Sequence, residues 1–133
     1  MKSFPFLSTQ QFLTGLRILL GLMLAAHGVI RIYAGTVGGF GGFLEGHGFP
    51  AGVVIAWGIT TFEILGGLAL TVGLARRWIS LVFAVEMIMG IILVHAQHGW
   101  FVVGYTAGGA EYSALLIFCF LLVASTADQE KRE

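Results

Sequence analysis

Apolar residues gather into four runs along the chain, over about 12–34, 51–74, 78–96 and 111–127. Each approaches the roughly 20 residues that a helix rising about 1.5 Å per residue needs to cross a 30 Å hydrocarbon core. The last run is short unless it begins near Gly104. Between the runs lie GTVGGFGGFLEGHGFP at 35–50, which holds seven glycines, then Ala75-Arg76-Arg77, then a glycine- and aromatic-rich stretch at 97–110 without Lys or Arg. This pattern predicts an all-α fold: a polytopic, four-transmembrane-helix bundle forming one domain over 1–133, with a glycine-rich outer loop between the first two helices. That loop is too long for a tight turn, and Phe40, Phe43, Leu44 and Phe49 are poorly placed in open water. It is therefore expected to fold back as a short interfacial helix or partial plug over the outer mouth of the bundle.

Composition makes lipid the solvent. Hydrophobic residues are 57% of the chain and charged residues 11%, too few to coat a globule in water. Seven acids and seven bases cancel, and no basic run extends beyond Arg76-Arg77 and Lys131-Arg132, which excludes a nucleic-acid partner. Cys119 stands alone in an apolar run, so an intrachain disulfide, a CxxC dithiol and a cysteine-built zinc site are excluded. Lys2 ahead of an apolar stretch resembles a secretory signal, but Arg17 interrupts that stretch and further apolar segments follow; an uncleaved first helix is expected. In a four-span arrangement Lys2, Arg76, Arg77, Lys131 and Arg132 fall on one side and Arg31 near the other, which puts both termini in the cytoplasm. Trp78 and Trp100 fall near the predicted interfaces.

Ionisable side chains in hydrocarbon cost about 2.5–3.5 kcal/mol each on insertion scales, so each calls for a partner or a water-filled cavity. The first helix carries Arg17, His27 and Arg31, the second Glu63, the third Glu86 and His95, and the fourth opens with Glu111. At about 100° per residue, Arg17, His27 and Arg31 share one face, and Thr60, Glu63, Gly67 and Thr71 form one seam on the second helix. Glu86 and His95 fall about 180° apart on a straight helix. A bend at Gly90 reunites them, or else Glu86 pairs with Arg17 in a structural ion pair on the cytoplasmic half. His27, Arg31, Glu63, His95 and Glu111 lie from the bilayer middle outwards and are candidates for one outward-facing pocket. Imidazole and carboxylate there can protonate and orient a small polar or quinone-like ligand, relay protons, or bind haem or a metal. The bland alternative is that Arg31 and Glu63 neutralise each other while His27 and His95 bond backbone carbonyls. A metal ranks lower, because the histidines lack tight ligand spacing, and no metal ligand is assigned. Serine hydrolysis is excluded: there is no nucleophile elbow, and Ser113 and Ser125 have no partner motif.

His27-Gly28, Phe49-Pro50, Glu63 with Gly66-Gly67, Arg76-Arg77, His95 and Gly109-Ala110-Glu111-Tyr112 occur in an order that resembles the DoxX family over nearly the whole chain. The resemblance implies a small four-helix protein of the bacterial inner membrane, in a functionally mixed family named for a subunit of a thiosulfate:quinone oxidoreductase. Other relatives are linked to membrane oxidoreductase complexes handling sulfur or oxidative stress. It carries over His27, Glu63, His95 and Glu111 and adds Tyr112 beside them. Arg31 departs from the lysine expected in the similar motif, keeping the charge but changing the hydrogen-bonding geometry. The leading expectation is a redox-associated membrane protein, the quinone- or small-molecule-binding subunit of an oxidoreductase complex, with its catalytic residues unassigned. A non-enzymatic scaffold or assembly partner is the alternative, and a small-solute transporter the third. Expected partners are the lipid bilayer, a small lipophilic ligand, and oxidoreductase subunits or a second copy docked through small-residue seams such as Gly104 to Gly108.

Overall fold

The computed structural model describes residues 6–128; Lys2, Lys131 and Arg132, used above for orientation, lie outside them. The described residues are all-helical: α1 (Thr9–Tyr33), α2 (Val37–Gly46), α3 (Gly52–Val72), α4 (Arg76–Leu93), a single 3-10 turn (His95–His98) and α5 (Glu111–Thr126). They divide into two compact units, one ending at Leu74 and the other beginning at Ala75.

In the first unit α1 and α2 each pack on α3. A capping box starts α1 ahead of its apolar run: Gln11 N–H donates to Ser8 Oγ at 3.2 Å and Ser8 N–H to Gln11 Oε1 at 2.8 Å. A Schellman turn ends it, with Gly35 at φ +68 and Thr36 N–H donating to the Arg31 carbonyl. α3 closes in the same way, at Gly73 with φ +88 and Leu74 N–H on the Ala69 carbonyl. Within the glycine-rich segment, α2 buries Val37, Gly41 and Leu44, positions spaced i, i+4, i+7 as a helix face requires.

Backbone meets backbone where α1 crosses α3. A Cβ on Gly67 would stand 2.5 Å from the Gly21 carbonyl oxygen and 2.8 Å from Ala25 N. One on Gly28 would stand 2.6 Å from Ile64 Cγ1 and 2.9 Å from the Thr60 carbonyl oxygen. Such small-residue seams let helices approach without a hydrophobic driving force between them.

The second unit is α4 packed on α5. Phe83 and Phe120 are fully buried, with ring centroids 5.4 Å apart, and Leu116 and Val123 fill in around them. Arg77 Nη1 meets Asp128 Oδ2 at 3.1 Å on the surface.

Side chains are not sorted as in a water-soluble globule. Thr60, Glu63, Ser80, Ser113 and Thr126 are buried while Leu19, Leu22, Val54, Leu65, Val72 and Phe118 are exposed. Apolar surface on this scale needs an apolar solvent. By length and composition α1 and α3 suffice to cross a membrane; α5 is apolar but shorter, and α4 carries Arg76, Arg77 and Glu86.

Candidate functional site

The seam of α3 places Thr60 and Glu63 one turn apart, facing α1. Thr60 is wholly buried and its hydroxyl donates to the Ala56 carbonyl at 2.7 Å, a bond that needs no partner helix. Glu63 is 3% exposed and, among the described residues, has no such local partner, so its carboxylate depends on what α1 supplies. That is Arg31, near the end of α1. Its Nη1 donates to Glu63 Oε2 at 2.5 Å and to Thr60 Oγ1 at 3.0 Å, and Nη2 reaches Glu63 Oε1 at 3.4 Å. Phe40 of α2 covers the guanidinium, its centroid 4.8 Å from Arg31 Cζ, an attractive cation–π contact. All three helices of the unit therefore meet at Arg31.

The pair cancels its own charge, as buried charges must. Arg31 still has donors to spare. Among the described residues, its Nε–H and one Nη2–H have no hydrogen-bond partner, and its side chain remains 19% exposed.

His27 does not join this constellation. It is exposed, on a shallow groove shared with Ala26, Val29, Ile30 and Tyr33. Helix phase explains the difference: taking Gly28 as the centre of the buried face, Arg31 lies about 60° off it and His27 about 100° off it on the same side. A long guanidinium spans that angle; an imidazole does not.

Arg17 also faces α3, lower down. Its Nη1 donates to the Leu70 and Thr71 carbonyls at 2.7 and 2.8 Å, placing a cation on the C-terminal carbonyls of α3. Glu86, its expected ion-pair partner, sits half-buried on α4 in the other unit.

The remaining candidates belong to the second unit. α4 stops at Leu93, so His95 opens the 3-10 turn instead of extending the helix, and its Nδ1 lies 2.8 Å from the Gly108 carbonyl oxygen. Glu111, in the first turn of α5, accepts from Val102 N–H at 3.0 Å. Tyr112 is 44% exposed. His95 and Glu111 thus both hold the 99–110 loop; the carbonyl bond of His95 is the one the bland alternative gives, whereas spacing does not suggest the contact of Glu111. Glu45 was likewise missed: its Oε1 accepts from Gly52 N–H at 3.2 Å, setting a carboxylate at the N-terminus of α3. The signal was a lone acid a few residues before a helix that follows Pro50.

Among the described residues no group of three or more His, Cys, Asp or Glu side chains converges as a metal site would require.

Comparison with known proteins gives a consistent picture. The DoxX family profile matches residues 12–96, more than half of the chain. Over 116 residues the chain is 28% identical to CatD of Bacillus subtilis (strain 168), a protein provisionally named an oxidoreductase; the match covers 86% of this chain and 78% of CatD. No solved structure matches the chain at a significant level.

Proposed function

The chain belongs to the DoxX family, and we propose that it is the membrane subunit of a redox assembly, binding a small lipid-soluble carbonyl compound of the quinone type at Arg31. One observation carries this reading: the guanidinium is fixed by Glu63 and Thr60, faced by an aromatic ring, neutral as a pair, and left with two unused N–H donors. A neutral pair has no net attraction for an anion, but spare donors suit a carbonyl oxygen. His27 lies one helical turn before Arg31, on a groove otherwise apolar apart from the Tyr33 hydroxyl. Residues so spaced are neighbours on a helix surface. In this reading Arg31 orients the carbonyl and exposed His27 relays from water, one at a time, the two protons that accompany the two electrons a quinone takes from a partner oxidoreductase subunit. The provisional name of CatD supports the redox setting.

The same proposal takes α1, α3, α4 and α5 as four crossings of a bacterial inner membrane, with both termini cytoplasmic. Arg76 and Arg77, which open α4, support that orientation.

The test is mass spectrometry of lipid extracts from protein purified in mild detergent, compared with His27→Ala and Arg31→Met. Quinone retained by the wild type and lost from both variants is the expected result. No retained quinone, together with no binding of an added short-chain ubiquinone, overturns the reading.

A scaffold role has its own supporting observation: Arg31 and Glu63 neutralise each other, and the glycine seam brings α1 and α3 into backbone contact. Under that reading, Arg31→Met with Glu63→Leu keeps its partner proteins in crosslinking. Under the quinone reading the same variant folds but loses its ligand.

A further inference from the structure

We propose that the 99–110 loop is a membrane-embedded element, seated among the headgroups and upper acyl chains of the leaflet at that end of α4 and α5. This rests on taking α4 and α5 as crossings. The 16 residues of α5 span only about 24 Å at 1.5 Å per residue, about 6 Å less than a 30 Å hydrocarbon core. Something uncharged must fill that depth or the bilayer must thin locally. The loop has no Asp, Glu, Lys or Arg between Gly99 and Ala110. It turns Trp100, Phe101, Val103 and Tyr105 outwards, at 55%, 44%, 78% and 87% exposure.

Apolar residues on a loop would ordinarily collapse inwards; here the backbone prevents it. Gly108, Gly109, Ala110 and Glu111 N–H donate to the carbonyls of Val102, Phe101, Gly99 and Trp100 at 2.9–3.1 Å. Gly109 permits that closeness, since a Cβ there would stand 2.6 Å from the Phe101 oxygen. Two side chains complete the stem, Glu111 accepting from Val102 N–H and His95 Nδ1 meeting the Gly108 carbonyl. Irregular backbone enters a bilayer most readily where its polar groups are satisfied; these bonds occupy the N–H groups of 108–111 and the carbonyls of 99–102, while Trp100 and Phe101 N–H have no partner among the described residues and so belong near the headgroup water. The tip, Val103 to Ala107, makes no such ladder among the described residues, so it belongs at the headgroups, where water is available. Trp and Tyr prefer that depth.

The experiment uses the full chain in phosphatidylcholine vesicles with Trp57→Phe and Trp78→Phe, leaving Trp100 as reporter. Trp100 emission should be shifted to short wavelength, quenched by lipid spin-labelled near the headgroup more than by lipid labelled near the chain terminus, and little affected by aqueous iodide. Emission at the wavelength of free tryptophan, with strong iodide quenching, overturns the proposal. The companion variant Trp78→Phe, Trp100→Phe reads Trp57 on α3: lipid quenching there with none at Trp100 refutes the loop alone, while no lipid quenching at either removes the membrane reading itself. Should the double variants fail to fold, a nitroxide at Val103→Cys in a Cys119→Ser background reports the same depth. Greater accessibility to oxygen than to an aqueous nickel chelate supports the proposal, and the reverse overturns it.

Discussion

Replacing Glu63 by alanine removes the only counter-charge that Arg31 has among the described residues of its unit and leaves the guanidinium with Thr60 and Phe40. Removing one member of a buried ion pair costs about 3–5 kcal/mol, because the survivor is left charged in a poor solvent. With 19% of its side chain exposed, Arg31 can turn partly towards polar surroundings, so the lower end applies: about 3 kcal/mol, or roughly a hundredfold in the folding equilibrium. Glu63→Gln keeps an acceptor oxygen but not the charge, and should cost about half as much. Arg31→Met with Glu63→Leu removes both charges and keeps similar volume, and should fall within about 1 kcal/mol of wild type. The assay is unfolding in mixed detergent micelles, followed by helical circular dichroism for the four proteins side by side. A Glu63→Ala variant within about 0.5 kcal/mol of wild type, or a double variant less stable than either single one, refutes the argument that burial makes this pair interdependent.

Three further outcomes follow from the packing. Gly67→Ala should destabilise by about 1–3 kcal/mol, since its methyl meets backbone on α1 that cannot move aside, whereas Gly15→Ala, with nothing within 4 Å of the new methyl, should stabilise by up to about 1 kcal/mol; melting both variants in detergent checks the contrast. Arg17→Ala should cost about 1.5–3 kcal/mol through the lost charged bonds to the α3 carbonyls, and Arg17→Lys should recover part of it in the same melt. Glu45→Gln should lose about 0.5 kcal/mol of charge–dipole stabilisation at the start of α3, and the loss should shrink in high salt when the melts are repeated.

The helices were legible because each apolar run is long and bounded by glycine, proline or charge. Their ends were less so. The capping box Ser8-x-x-Gln11 was in plain view, yet it precedes the apolar run and so the helix starts at Thr9. The stop at Leu93 has no glycine or proline beside it; the break is at Val94, with φ −127, and nothing in the local sequence announces it. The site was half legible. The seam of Thr60, Glu63 and Gly67 follows from periodicity, while the pairing of Arg31 with Glu63 stands in the sequence only as the bland alternative to a shared pocket. A face of α1 centred on its polar residues includes His27; one centred on Gly21 and Gly28, which touch α3, puts the imidazole at its edge. His95 and Glu111 hold a loop whose backbone ladder has no periodic signature at all.

Opposite charges locked together at a single depth have an electrical consequence. A membrane potential does work only on charge that moves, about 2.3 kcal/mol per elementary charge for each 100 mV traversed. If α1 and α3 cross the bilayer as proposed, Arg31 and Glu63, held 2.5 Å apart, shift as one dipole of zero net charge, and a membrane voltage gives the pair almost no push. Glu63→Gln would change that, leaving the guanidinium as a bare positive charge on which the field can pull.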